Sequence, residues 1–172
     1  MADSYLILTV IGADRPGLVG ELSAAIAAHQ GNWLESSMSH LAGQFAGIVR
    51  VAVPATQAEA LKSALGKMAA LKVMAETAGE KSAPAGRRLK LALVGHDRIG
   101  IVREVSQVLA RHAVNVEKLE THTASAPMSA ETLFHSQAEL QAGSGLDARA
   151  LKAELERISD ELMVDITLDE TI

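Results

Sequence analysis

The sequence predicts an α+β protein made of two tandem modules, each a βαββαβ unit whose antiparallel sheet carries two helices on one face. Two observations predict this fold. A shift of 83 positions places residues 12–32 on residues 95–115 with ten of 21 positions identical, so the chain repeats itself. Within each copy, short apolar runs of strand character alternate with segments of helical periodicity. This order of elements is that of the ferredoxin-like arrangement.

Four runs in each copy predict strands, because they are apolar or alternating and are bounded by turn residues. In the first copy they are Tyr5–Ile11, Asn32–His40, Gln44–Val53 and Val73–Thr77. In the second copy they are Leu89–Val94, Asn115–Thr123, Glu131–Leu140 and Met163–Leu168. A glycine follows the first strand of each copy, and Pro54 ends the third strand of the first copy.

Apolar residues spaced by three or four positions predict two helices in each copy. The first helices carry Leu18, Leu22 and Ile26, and Ile101, Val105 and Leu109. The second helices carry Leu61, Leu65 and Met68, and Leu151, Leu155, Ile158 and Leu162. Thr56 and Glu59 have the spacing of a capping box, and Asp147 is the expected cap of the last helix.

The spacing of the repeat also predicts the module boundaries. The offset between the copies rises from 83 to 90 by the second helices, so the second copy holds about seven additional residues between Asn115 and Leu151. The segment GEKSAPAGRR, residues 79–88, lacks periodicity and is the predicted linker. We therefore expect module 1 at residues 1–78 and module 2 at residues 89–172.

Composition limits the classes of function. The net charge is −5, which disfavours direct binding to nucleic acid. The absence of cysteine removes disulfides, thiolate ligands and cysteine nucleophiles. The spacing of His40, His96, His122 and His135 is not that of a metal site, and we expect neither metal nor cofactor. The sequence shows no signal core and no run of about 20 apolar residues, so we expect a cytoplasmic protein without membrane attachment.

The densest identity lies in the turn between the first strand and the first helix. This turn is GADRPG at residues 12–17 and GHDRIG at residues 95–100. One interpretation is structural: the glycines permit a tight backbone, Asp14 and Asp97 cap the helices, and Pro16 fits the first helical turn.

A second interpretation adds a ligand to this turn. The N-terminus of a helix offers free N–H groups and a positive dipole end, where a small carboxylate would dock beside Arg15 or Arg98. His96 lies in the second turn and would contact a ligand there. Capping alone does not explain why the arginine recurs in both turns. Nor does it explain Asn32 and Asn115, which lie just after the first helix of each copy and would add a side-chain amide to the site.

With these motifs the chain resembles ACT domains, the amino-acid-sensing regulatory modules. The second copy adds GHDRIGIVRE at residues 95–104, NVEKLETHT at residues 115–123 and SAPMS at residues 125–129. Through these segments the chain resembles, over nearly its whole length, the glycine cleavage system transcriptional repressors. The second copy departs from the usual ACT pattern at Ile99, where proline is common, and at Val114, where glycine often precedes the asparagine.

The resemblance implies a non-enzymatic co-repressor. Such a protein contacts a DNA-binding transcriptional activator rather than DNA, and glycine relieves that contact. ACT ligands sit at interfaces between modules, against the turn after the first strand. The open face or edge of each sheet also needs a partner, so we expect a homo-oligomer. The ligand-binding residues that the resemblance implies are Gly12, Asp14, Arg15, Gly17, Leu18 and Asn32, and Gly95, Asp97, Arg98, Gly100, Ile101 and Asn115.

Two alternatives remain open on the sequence alone. In the first alternative, the chain is a structural ACT-type interaction module that binds no small molecule. In the second, it is an acylphosphatase-like hydrolase, a class that also uses an arginine near the first loop and an asparagine on a strand. The loop of that class is richer in glycine and spaces its arginine differently, a pattern that this sequence lacks.

Overall fold

The computed structural model describes residues 3–79, 86–129 and 131–171. Within these ranges each copy contains four strands and two helices in βαββαβ order. The elements of the first copy are β1 Asp3–Ala13, α1 Leu18–Ala28, β2 Asn32–Leu41, β3 Gln44–Pro54, α2 Ala58–Gly66 and β4 Lys72–Ala78. Those of the second copy are β5 Arg87–His96, α3 Ile101–Arg111, β6 Val114–Ser125, β7 Thr132–Ala142, α4 Ala148–Leu162 and β8 Val164–Thr171.

Each copy forms one four-stranded antiparallel sheet. The strand order is β2-β3-β1-β4 in the first sheet and β6-β7-β5-β8 in the second. The first strand of each copy is therefore central, and the second and fourth strands form the edges. The second strand of each copy has a one-residue shift in register. It lies between Trp33 and Glu35 in β2 and between Val116 and Lys118 in β6. The predicted α+β fold of two ferredoxin-like modules is confirmed.

The helices of each copy cover one face of its sheet. Along β1, Leu6, Leu8 and Val10 are buried, and they share a core cluster with Leu22 of α1 and Leu65 of α2. In the second copy the corresponding residues of β5 share a cluster with residues of α3 and α4. Alternate strand residues point to opposite faces, and among the described residues the helices of each copy pack on one face of its sheet only. We call the opposite face of each sheet the open face.

The caps of the second helices differ from each other. Asp147 caps α4 as predicted, since its carboxylate accepts hydrogen bonds from the backbone N–H groups of Arg149 at 3.1 Å and Ala150 at 3.0 Å. The capping box predicted at Thr56 is wrong. The N-cap of α2 is Gln57, which makes no side-chain capping bond and whose own N–H closes a turn to Pro54. Residues 54–57 form this turn, so Thr56 lies before the N-cap and the helix begins at Ala58.

The end of α2 also departs from the prediction. The helix stops at Gly66, so Met68 is not on its buried stripe. Met68 nevertheless packs against the core of the first copy from the connection that follows the helix.

Most of the additional residues in the second copy lie in one hairpin. Ala13 pairs with Gln44, and the equivalent His96 pairs with Leu133, so the offset between the copies rises from 83 to 89 across the hairpin. It reaches 90 at Leu151. Six of the seven additional residues therefore lie between β6 and β7 or at their facing ends, next to the end of β5 that carries the repeated turn.

The chain divides into two compact units, Met1–Ser82 and Ala83–Ile172. Residues 80–85 of the predicted linker lie outside the described residues, so the linker at 79–88 stays a prediction. Strand β5 begins at Arg87, whose guanidinium forms paired hydrogen bonds of 2.7 Å to the carboxylate of Glu170 on β8 and a bond of 3.0 Å to the carbonyl of Leu146.

Candidate functional site

The repeated turn connects the first strand to the first helix in each copy, and one hydrogen bond fixes its position. The backbone N–H of Asp14 donates to the carbonyl of Gly43 at 2.9 Å, and that of Asp97 donates to the carbonyl of Thr132 at 2.9 Å. Gly43 lies in the turn between β2 and β3, and Thr132 is the first residue of β7, where the hairpin with β6 begins. The hairpin therefore closes against the turn in both modules.

The first glycine of each turn is required by packing. A Cβ on Gly12 would clash with the carbonyl oxygen of Ala70, and one on Gly95 would clash with Val164. In each module this is the segment that leads into the last strand. These glycines bring the last strand close to the first, which is a structural role in both modules.

The second glycine of each turn is the N-cap of the first helix. Gly17 has φ of +95° and Gly100 has φ of +100°, a left-handed conformation that residues with a Cβ adopt at a cost. The predicted caps Asp14 and Asp97 are wrong, because no side chain caps either helix among the described residues. Pro16 precedes the N-cap and so lies outside the first helical turn.

This arrangement leaves the start of each first helix open to an acceptor from outside. The first N–H groups of a helix have no partner within the helix. At α4 the carboxylate of Asp147 satisfies two of them. At α1 and α3 a glycine stands at the cap instead and supplies no side-chain acceptor. Neither helix therefore has a capping side chain, although Glu21 and Glu104 in their first turns offset part of the helix dipole.

The two arginines differ in their contacts. Arg15 pairs with Glu21 on α1 at 2.8 Å and also donates to the carbonyl of Pro16 at 3.2 Å. Arg98 is exposed and has no ion pair or hydrogen bond with any part of the chain that the structure describes. Glu104, the counterpart of Glu21, lies 3.9 Å from Arg103 instead. The guanidinium of Arg98 is therefore free for a ligand, whereas that of Arg15 has a carboxylate already.

His96 lies at the end of β5, beside the enlarged hairpin. Its Nδ1 lies 3.6 Å from Oε2 of Glu131, and the hydroxyl of Ser129 donates to the same oxygen at 3.3 Å. His96 thus lies next to the second turn, as its sequence position requires. Leu18 and Ile101 are buried in the cores, so only their backbone groups are available to a ligand.

The structure does not bring Asn32 and Asn115 to the turns of their own modules. Asn32 lies opposite Ala52, which lies opposite Tyr5, and Tyr5 is eight residues before the end of β1 at Ala13. At a rise of about 3.3 Å per residue, Asn32 is about 26 Å from the turn. Asn115 pairs with Gln141 at the corresponding end of the second sheet.

Sequence reasoning missed two features of the site. Ile99 is fully exposed at the position that Pro16 occupies in the first copy, so the second turn presents an apolar side chain to solvent. The second missed feature is the hydrogen bond from Arg15 to Glu21. The sequence contained a signal for the importance of Glu21, because the second copy also has a glutamate, Glu104, at the corresponding position.

The described residues contain no group of three or more His, Asp or Glu side chains arranged to hold a metal ion. None of their helices combines the length and the apolar character that crossing a bilayer would require.

Comparison with known proteins identifies the family. Residues 4–76 match the ACT domain. A crystal structure of an unknown protein from Galdieria sulphuraria has 31% sequence identity and a TM-score of 0.90, over 99% of this chain and 100% of that one. The crystal structure of a protein provisionally named as a glycine cleavage system transcriptional repressor has 19% identity and a TM-score of 0.72, over 99% of each chain. No curated protein sequence matches the chain.

Proposed function

The chain belongs to the ACT-domain family, as a tandem pair of such modules, and on this premise we propose that it is a non-enzymatic regulatory protein that senses a small amino acid. Glycine is the first candidate ligand, because of the resemblance to glycine cleavage system repressors. The site is the turn between the first strand and the first helix of each module. We propose that the protein acts in the cytoplasm and that ligand binding alters its contact with another protein.

One observation carries the proposal: Arg98 is exposed two residues before Gly100, the N-cap of a helix that has no side-chain cap. The N-terminus of α3 has no side-chain cap, and Arg98 has no partner among the described residues. Helix N–H groups and a guanidinium are both donors that suit a carboxylate. The geometry therefore favours an amino acid held by its carboxylate at the second turn.

The position of the asparagines bears on how such a site is completed. Asn115 lies at the opposite end of its sheet from Arg98, so the two residues of one module cannot contact the same small ligand. We propose that the amide is supplied by a second copy of the chain. This proposal agrees with the expected homo-oligomer and makes ligand binding depend on assembly.

The proposed partner is a protein, for example a DNA-binding transcriptional activator. The net charge of −5 is unfavourable for binding to the phosphate backbone of DNA. A regulator of transcription with this charge therefore acts through another protein. We propose that glycine relieves the contact, as the resemblance implies.

Titration calorimetry of the full chain with glycine, serine and alanine tests the sensing proposal. We expect Arg98→Ala to weaken binding about tenfold or more, because a charged hydrogen-bond donor is lost. Arg149→Ala is the control, since Arg149 is an exposed arginine on α4 whose guanidinium has no ion pair among the described residues. If none of the amino acids binds to the folded protein, the structural interaction module becomes the better description.

A pull-down from native cell extract tests the partner. The chain is used as bait with and without the amino acid that binds. A retained transcriptional activator whose recovery falls in the presence of the amino acid supports the proposal. Retention of the same partner at an unchanged level, also by a variant with both Arg15 and Arg98 replaced by alanine, contradicts the regulatory role of the turns.

A further inference from the structure

The open face of the second sheet carries a groove that extends from Lys90 to Val94, the residue before the repeated turn. Its floor is Ala92, in the middle of β5, which lies opposite Gln137 on β7 and Thr167 on β8. Both neighbours are larger than alanine, so the methyl group leaves a depression between them. Two adjoining cavities of about 280 Å³ and about 360 Å³ share Ala92, Gln137 and Glu120 in their walls. Their size is close to the lower end of the range for small-molecule sites, about 300 Å³.

Charged side chains line one end of this groove in a row across all four strands. Lys118 lies opposite Glu139, Glu139 opposite Lys90, and Lys90 opposite Asp169. Lys118 pairs with Glu120 at 3.2 Å. Over the described part of the chain, Lys90, Glu139 and Asp169 have no ion partner within 4.0 Å. One free ammonium and two free carboxylates therefore face the same cavity.

The first module shows that the fold does not require this arrangement. The floor position there is Thr9, which lies between the apolar side chains of Ile48 and Met74. Ile7 occupies the position of Lys90, with Glu76 opposite it in the position of Asp169. A cavity of about 270 Å³ lies at the corresponding place in the first module, but there Arg50 already pairs with Glu35 at 3.9 Å. The unpaired lysine between two carboxylates is therefore the feature that distinguishes the second module.

We propose that this groove binds a basic α-amino acid, of the lysine or ornithine class, through the unpaired charges of Lys90, Glu139 and Asp169. The ligand carboxylate lies on the ammonium of Lys90. Its α-ammonium and side-chain ammonium lie on Glu139 and Asp169, which matches two ligand cations to two protein carboxylates. Gln137 and Thr167 offer hydrogen bonds along the wall. This site is independent of the turns, because it uses none of their residues.

Titration calorimetry with three probes tests the site: L-lysine, glycine and cadaverine, a diamine that lacks the carboxylate. We expect the folded full chain to bind L-lysine, with a loss of about tenfold or more in Lys90→Met and in Asp169→Asn. Glu76→Gln is the matched control and leaves the affinity unchanged. Cadaverine binding is expected to tolerate Lys90→Met, since only the carboxylate contacts that residue.

Two results overturn the proposal. One is the absence of L-lysine binding at millimolar concentration by protein whose thermal unfolding shows it to be intact. The other is L-lysine binding that Arg98→Ala weakens and Lys90→Met does not, which assigns the ligand to the turn. Glycine is titrated in parallel with L-lysine. A failure of L-lysine to bind in the groove and a failure of glycine to bind at the turn are therefore seen separately in the affinities of the variants.

Discussion

Nε2 of His112 lies 2.7 Å from Oε2 of Glu154, which joins the end of α3 to the middle of α4. Arg111 donates to the same carboxylate at 3.0 Å through Nε. This carboxylate therefore links the two helices, which also share the apolar core of the second copy. His29, the counterpart in the first copy, instead forms a 2.9 Å hydrogen bond with the carbonyl of Ala25 in its own helix. The equivalent residues His29 and His112 therefore form different hydrogen bonds.

The link to Glu154 predicts an acid-sensitive part of the stability. The hydrogen bond from Arg111, and then that from His112, lower the pKa of Glu154 below its ordinary value of 4.5. A carboxyl with a lowered folded-state pKa stabilises the fold above the ordinary value, and this contribution is lost as pH falls through the lowered pKa. We expect Glu154→Gln to lower the urea midpoint at pH 7, with a difference that shrinks below pH 4.5. Glu161→Gln is the control, because among the described residues Glu161 pairs with Arg157 of its own helix and with neither Arg111 nor His112.

The cap of α4 predicts a measurable loss of stability. Asp147→Ala removes the acceptor for two backbone N–H groups, and we expect it to lower the free energy of unfolding by about 1 kcal/mol. Gln57→Ala at the N-cap of α2 removes no capping bond and should change the free energy of unfolding by much less. Urea unfolding of both variants gives the comparison. Equal losses would contradict the role of the Asp147 side chain.

The first glycine of the turn predicts a loss of stability that does not depend on ligand. Gly12→Ala places a methyl group against the carbonyl of Ala70, and we expect a loss of about 1–3 kcal/mol. Gly20→Ala is the matched control, since a methyl group there meets nothing and helix propensity improves by up to about 1 kcal/mol. Thermal unfolding of both variants without added amino acid checks the prediction. A stable Gly12→Ala variant would mean that the connection to β4 shifts easily.

The pairing of Arg15 with Glu21 predicts unequal turns. Glu21→Gln frees the guanidinium of Arg15, and we expect the first turn to bind a carboxylate ligand up to about fivefold more tightly, since exposed ion pairs contribute up to about 1 kcal/mol. Glu104→Gln in an Arg15→Ala background is the matched control at the second turn, because Arg98 has no bond to Glu104 to lose. Calorimetry with an Arg98→Ala background isolates the first turn. A fall in affinity for Glu21→Gln in this background would contradict the prediction.

The repeat and the periodicities predict the fold well for a physical reason. Apolar periodicity reports which face of an element is buried, and two copies of the same pattern reinforce each other. The buried positions Leu22, Leu65, Leu109 and Leu155 all lie on the predicted stripes. Element ends are less certain, since Thr56 has good capping chemistry but a turn at Pro54 moves the start of α2 beyond it.

The site is predicted less completely than the fold. Sequence spacing shows that Asp14, Arg15 and Gly17 are adjacent, but not which of them is the cap. Gly17 takes that place because its left-handed conformation turns the chain into the helix without a side chain. The position of Asn32 follows from connectivity: a residue just after an 11-residue helix lies at the far end of that helix from the turn. Asn32 is therefore close to the turn in the sequence but far from it in the fold.

The glycine that begins each repeated turn is fixed by its contact with the last strand, and this has a consequence for how the motif evolves. Selection for folding alone preserves Gly12 and Gly95, while Asp, Arg and the residue after them are free to change with the ligand. A module that has lost its ligand would thus retain the outline of the motif. Among related chains, the charge state of the position held by Arg15 or Arg98 should distinguish sensors from modules that only assemble.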